Sequence, residues 1–62
     1  MTAAQIADDL DARAAILEAW ASAALAAGQF VLFVEYWTSA RTLRQEAARL
    51  RQIAPETLPP AE

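Results

Sequence analysis

The sequence predicts a mainly α-helical protein: two helices, over about residues 3–27 and 39–54, joined by a short extended or β segment at 30–37 and followed by a proline-rich tail. Three observations predict it. Seventeen of the 62 residues are alanine, the strongest helix former. Apolar residues recur at steps of three and four through both halves, the period of a helix face. The single glycine, Gly28, and the first proline, Pro55, stand where each helix would end. The chain reads as one small domain, a helical body over 1–54 and a tail over 55–62.

The first helix has a marked beginning. Thr2 is a natural N-cap, and Gln5 follows at capping-box spacing. Met1 and Ile6 occupy the two positions of a hydrophobic staple. Ile6, Leu10, Ala14, Leu17, Ala21 and Ala24 form one apolar face, which Ile16, Trp20 and Leu25 widen. Alanines between them allow close approach by another helix. Gly28 supplies the C′ residue that ends the element.

Residues 30–37, Phe-Val-Leu-Phe-Val-Glu-Tyr-Trp, read either way. Their aromatic and β-branched content favours an extended strand, and that is the reading preferred. A strand here would be apolar on both faces and would need cover on both. The helical alternative gathers Phe30, Phe33, Val34 and Trp37 on one face. No turn-forming residue interrupts the segment, which weighs against a hairpin.

Thr38 or Ser39 would cap the second helix and Pro55 would end it near Ala54. Ala40, Leu43, Ala47, Leu50 and Ala54 fall on a narrow stripe, nearer a coiled-coil seam than a broad core face. Arg41, Arg44 and Arg51 cluster on its flank, and Arg49 points elsewhere. The tail, Pro-Glu-Thr-Leu-Pro-Pro-Ala-Glu, has neither helical nor strand periodicity.

Composition narrows function by subtraction. Without cysteine or histidine, and with all five basic residues arginine, the chain lacks thiolates, the commonest general base and metal ligand, and any Schiff-base or phosphate-loop lysine. The expectation is a non-enzymatic protein with no cofactor, no metal and no small-molecule substrate. Asp8, Asp9 and Asp11 lack the glycine-containing loop of a calcium site and are better explained by the helix dipole. So short a chain rarely stabilises a core alone, which points to association with other copies.

Charge is unevenly distributed. Asp8, Asp9, Asp11 and Glu18 against Arg13 leave the first 18 residues at −3, whereas Arg41, Arg44, Arg49 and Arg51 against Glu46 leave 38–54 at +3. Helix dipoles favour that order. It also suits contact between the arginines of one copy and Asp8, Asp9 or Asp11 of a neighbour. DNA phosphate is a weaker candidate, because the whole chain is acidic, at −3.

The acidic N-terminal stretch argues against a secretory signal. The apolar run Ala19 to Val34 is 16 residues long and bracketed by Glu18 and Glu35, short of the ~20 that a spanning helix needs. A small single-pass subunit of the bacterial inner membrane, with its arginines cytoplasmic, is nevertheless the alternative from another class. A free-standing helical oligomerisation module is a third.

Leu17-Glu18-Ala19-Trp20, then Ala23-Ala24-Leu25-Ala26-Ala27-Gly28-Gln29, lead through the apolar stretch into Thr38-Ser39-Ala40, Leu43 and Leu50 of an arginine-rich helix. Over roughly Ala14 to Leu50 this order resembles the gpW-like small head-to-tail joining proteins of tailed phages. The resemblance implies a first helix ending at a Gly-Gln or Gly-Lys pair, a short β-hairpin, and a Thr- or Ser-capped second helix. It implies a head-completion or adaptor role: a ring of copies beneath the portal, in the virion neck, assembled in the bacterial cytoplasm and contacting portal and tail-side connector proteins. DNA would pass nearby without specific contact. No catalytic residue carries over. Here the 30–37 segment lacks the turn former such a hairpin would show.

The candidate interface comprises Phe30, Phe33, Tyr36, Trp37, Arg41, Arg44 and Arg51. The aromatics have a plain reading as core and another as contact surface, and the two coincide if neighbouring copies cover them. The arginines have a plain reading as a solvated face.

Overall fold

The computed structural model describes residues 2–57, and within them two helices: α1, Ala3–Ala26, and α2, Phe30–Thr57. The start of α1 follows the sequence. Thr2 Oγ1 accepts from the Gln5 amide at 3.1 Å, and the Thr2 amide donates to Gln5 Oε1 at 2.8 Å, closing the capping box. Met1, the other half of the expected staple, lies outside the described residues.

Its end is equally local. The Gln29 amide donates to Ala24 O at 2.8 Å and the Gly28 amide to Leu25 O at 3.0 Å, the paired bonds of a Schellman cap. Gly28 takes a φ of +76°, the left-handed conformation that this cap requires. Only Ala27, Gly28 and Gln29 separate the helices. So short a link folds α2 back antiparallel to α1.

The segment 30–37 is helical, which corrects the extended reading. No strand occurs among the described residues, so the β-hairpin implied by the family resemblance is replaced by the first two turns of α2. A lone strand would leave its amides and carbonyls without a sheet partner, whereas a helix satisfies its own. The helix also continues a heptad: Phe33, Tyr36, Ala40, Leu43, Ala47 and Leu50 are the buried or half-buried positions of α2.

Thr38 is accordingly an interior residue and not a cap. Its hydroxyl donates back to Val34 O at 2.8 Å and Glu35 O at 3.1 Å, the usual recourse of a threonine inside a helix. The backbone of α2 passes Pro55 and ends at Thr57, beyond the expected stop. Proline removes one amide donor and its ring crowds the carbonyl four residues back, and the helix continues for only two residues beyond it. The remainder of the expected tail, 58–62, lies outside the described residues.

The two helices meet along alanines. Ala7, Ala14 and Ala21 of α1 and Ala40 and Ala47 of α2 are spaced by seven and at most 2% exposed, with Ala24 at 6%. Leu10, Leu17, Leu43 and Leu50 alternate with them, half-buried. This is an antiparallel coiled-coil seam with alanine, or Phe33 at the start of α2, at one core position and mostly leucine at the other, and side chains as small as alanine let two helices approach closely. The buried face of α1 is thus narrower than expected and runs through Ala7 in place of Ile6. Ile6, Ile16, Trp20 and Leu25 are 38–53% exposed.

Candidate assembly surface

Seam positions divide the rest of each helix into two flanks. Asp11 and Glu18 each follow a seam leucine on α1, and Trp37, Arg44 and Arg51 each follow a seam residue on α2. In an antiparallel pair these positions share one side. Ile6, Arg13 and Trp20 each precede a seam alanine, as Leu32 and Glu46 precede Phe33 and Ala47, and these share the other side.

The first flank carries a ladder of charge. Arg44 donates to both oxygens of Glu18, Nε to Oε2 at 2.7 Å and Nη2 to Oε1 at 2.8 Å, and reaches Asp11 Oδ1 through Nη1 at 3.4 Å. One turn pair further on, Arg51 donates to Asp11 Oδ2 through Nη1 and Asp8 Oδ1 through Nη2, both at 2.6 Å. Hydrogen bonding from Arg44 holds the Glu18 carboxyl below its ordinary value, and bonding to Glu18 raises Arg44. Bonds first to Asp8 and then to Asp11 raise Arg51. The acids that sequence reasoning gave to a neighbouring copy therefore meet Arg44 and Arg51 within one chain. Asp9 pairs instead with Arg13 on α1 at 3.0 Å.

Arg41 is the flank arginine left outside the ladder. Its guanidinium lies over the Trp37 ring, 5.4 Å from the centroid, a cation–π arrangement. Trp37, Arg41 and Arg44 line a shallow groove with Glu18, Gln45 and Ala48. Arg49 pairs with Glu46 along α2 at 3.4 Å, away from the ladder.

The aromatics divide. Phe33 and Tyr36 are half-buried along the seam, and Tyr36 receives the Trp20 ring edge-on at 5.7 Å between centroids. Phe30 leans on Phe33 at 5.8 Å but is 63% exposed, and Trp37 is 44% exposed. With Leu25, Val31 and Val34 also exposed, the turn end shows apolar side chains on both flanks, with the uncharged Ser22 and Gln29 exposed among them. It carries no charge from Ala19 to Val34. Leu25 and Val31 are not among the interface residues singled out from sequence, where Leu25 belongs to the apolar face of the first helix and the 30–37 segment is represented by its aromatics alone.

No group of three or more acidic side chains gathers as a metal site among the described residues. No helix among them is long and apolar enough to cross a membrane. The 16-residue apolar run on which the single-pass alternative stood is split by the turn at Ala27, Gly28 and Gln29. No protein-family model matches the chain. Neither the curated proteins nor the solved structures contain a match to it.

Proposed function

We propose that this chain is a non-enzymatic assembly subunit that acts by seating its apolar turn end among other protein chains. The specific form is the one its sequence resembles, a head-to-tail connector of tailed phages, present in many copies as a ring between portal and tail-side proteins in the virion neck. The observation that carries the reading is the turn end. A helix apolar on all sides belongs in a protein interior or in lipid, and here both helices approach that at the same end, uncharged from Ala19 to Val34, while no helix among the described residues is long and apolar enough to cross a membrane. Exposed apolar patches beyond a few hundred Å² mark interaction sites. Summed over the two flanks and the turn, Trp20, Phe30 and Trp37, at 44–63% exposure, leave roughly 250–400 Å² uncovered before any aliphatic neighbour is added.

Two helices and a Gly28–Gln29 exit support the connector form, and the helical 30–37 segment departs from it. Incubation with purified portal rings of tailed phages, followed by electron microscopy, tests it. Added density beneath the portal is expected, and it should vanish with Val31→Asp. If no portal binds, the connector form fails. A fixed small oligomer without other components would then favour a free-standing oligomerisation module, a reading to which the heptad seam also lends itself.

A further inference from the structure

The flank opposite the arginine ladder combines exposed apolar side chains with charges that do not tie the two helices together. It runs the length of the hairpin and exposes Ile6, Ile16, Trp20, Leu32 and Ile53 at 37–53%. Near its middle lie two ion pairs, each confined to one helix: Asp9–Arg13 on α1 and Glu46–Arg49 on α2, with side chains 48–69% exposed. Unlike the ladder, these charges do not bridge the helices. The register fixed by Glu18–Arg44 and Asp8–Arg51 sets Arg13 abreast of residues 46–49 and Asp9 abreast of 50–53.

We infer that two copies pack through this flank with their turns at the same end, forming a four-helix bundle about a two-fold axis parallel to the helices. That axis places α1 of each copy beside α2 of the other. Arg13 then faces Glu46 of the second copy, and Asp9 comes within one turn of its Arg49. Both contacts occur twice. Trp20 lies level with the small Ser39 across the interface, large against small. The opposite arrangement, turns at opposite ends, sets α1 against α1 and could match these charges only by sliding the hairpins to a pivot near residue 11, which would leave Trp20, Leu32 and the rest of the turn end uncovered.

The area is adequate. The length of α1, about 36 Å, and the width of two helices, about 20 Å, give a footprint of about 700 Å², close to the ~800 Å² per partner of a standard interface. The need is equally plain: among the described residues every fully enclosed side chain is an alanine, and chains of this size commonly complete their core by oligomerisation. The inference deepens the assembly reading and rests on it, the second copy being the first partner that the subunit meets.

The test uses two charge-reversal variants of the full chain, Arg13→Glu and Glu46→Arg, by analytical ultracentrifugation with helicity monitored by circular dichroism. The wild-type chain is expected to be dimeric. Each variant alone sets like charges opposite one another twice and should weaken dimerisation at least about tenfold. Mixed in equal amounts they restore both pairs, and a heterodimer should form at near wild-type strength, with no contribution from contacts inside either chain. Trp20→Glu should also give monomers, whereas Trp37→Glu, on the ladder flank, should not. A monomeric wild type, or variants that do not associate on mixing, overturns the inference. A heterodimer without binding to portal rings would preserve the dimer and defeat the connector form; portal binding without the heterodimer would do the reverse.

Discussion

Arg44 holds Glu18 across the helix pair by two near-parallel hydrogen bonds of 2.7 and 2.8 Å, joining residues 26 positions apart. Such fork-to-fork pairing fixes orientation as well as contributing attraction. Through Asp11 it connects to Arg51 and Asp8, so five side chains tie α1 to α2 along one edge.

That ladder predicts how stability depends on pH. The folded chain holds Glu18 below its ordinary 4.5, chiefly through the bond from Arg44. A carboxyl with a depressed folded pKa contributes stability that is fully present above its unfolded value and lost as pH falls through the folded one. Melting temperature should therefore be level between about pH 6 and 8 and fall progressively below about pH 4.5. Glu18→Gln should remove most of the acid-side slope, and ~1 M salt should flatten it by screening exposed pairs. Thermal melts at fixed protein concentration across that range are the measurement. An unchanged slope in Glu18→Gln would mean that the pair does not couple the helices.

Much of the hairpin is legible in the sequence where the controlling chemistry is local. Thr2 and Gln5 cap each other, and Gly28 turns the chain, whatever surrounds them. Residues 30–37 are harder to read because strand propensity reflects how a side chain fits a half-buried pleated surface, and no second strand occurs among the described residues to provide one. The decisive signal was longer in range: Phe33 and Tyr36 extend backward the repeat of Ala40, Leu43, Ala47 and Leu50, so the segment matches the seam of α1 only as helix. The charge ladder was legible as an acidic beginning and a basic end, yet spacing along the chain does not say which chain an arginine meets. The three-residue link between α1 and α2 does. It reverses α2 and brings Arg44 and Arg51 beside Asp8, Asp11 and Glu18.

Gly28 permits a second prediction in which conformation is separated from packing. Its φ of +76° is one that side chains with a Cβ rarely adopt, while a Cβ placed there would meet nothing within 4 Å. Gly28→Ala should therefore destabilise by about 1–2 kcal/mol through backbone strain alone. Gly28→Asn should cost less, since asparagine tolerates the left-handed region better. Urea unfolding at one protein concentration distinguishes the three chains. Equal stability of the alanine and glycine forms would mean that the turn relaxes to a different cap.

The alanine seam gives the third. Ala14 and Ala47 are both fully enclosed, at 0% exposure, and the register set by Glu18–Arg44 and Asp8–Arg51 places them opposite one another. Leucine at either site has no void to enter. Overpacking of this kind costs about 1–3 kcal/mol, and here the strain can be relieved only by moving the helices apart, which lengthens the bonds of the ladder on one side. Ala14→Leu and Ala47→Leu should each lower the urea midpoint, and each should reduce the stabilising effect of Arg44 measured by Arg44→Gln in the same background. Together they should cost less than their separate effects added, because one displacement of the helices makes room for both, the coupling expected of contacting sites. Ala15→Leu, on the exposed face of the same helix, should change the midpoint by less than about 0.5 kcal/mol. If Ala14→Leu unfolds at the wild-type midpoint, the helices do not approach along these alanines, and the close seam that aligns the ladder is not what holds the hairpin together.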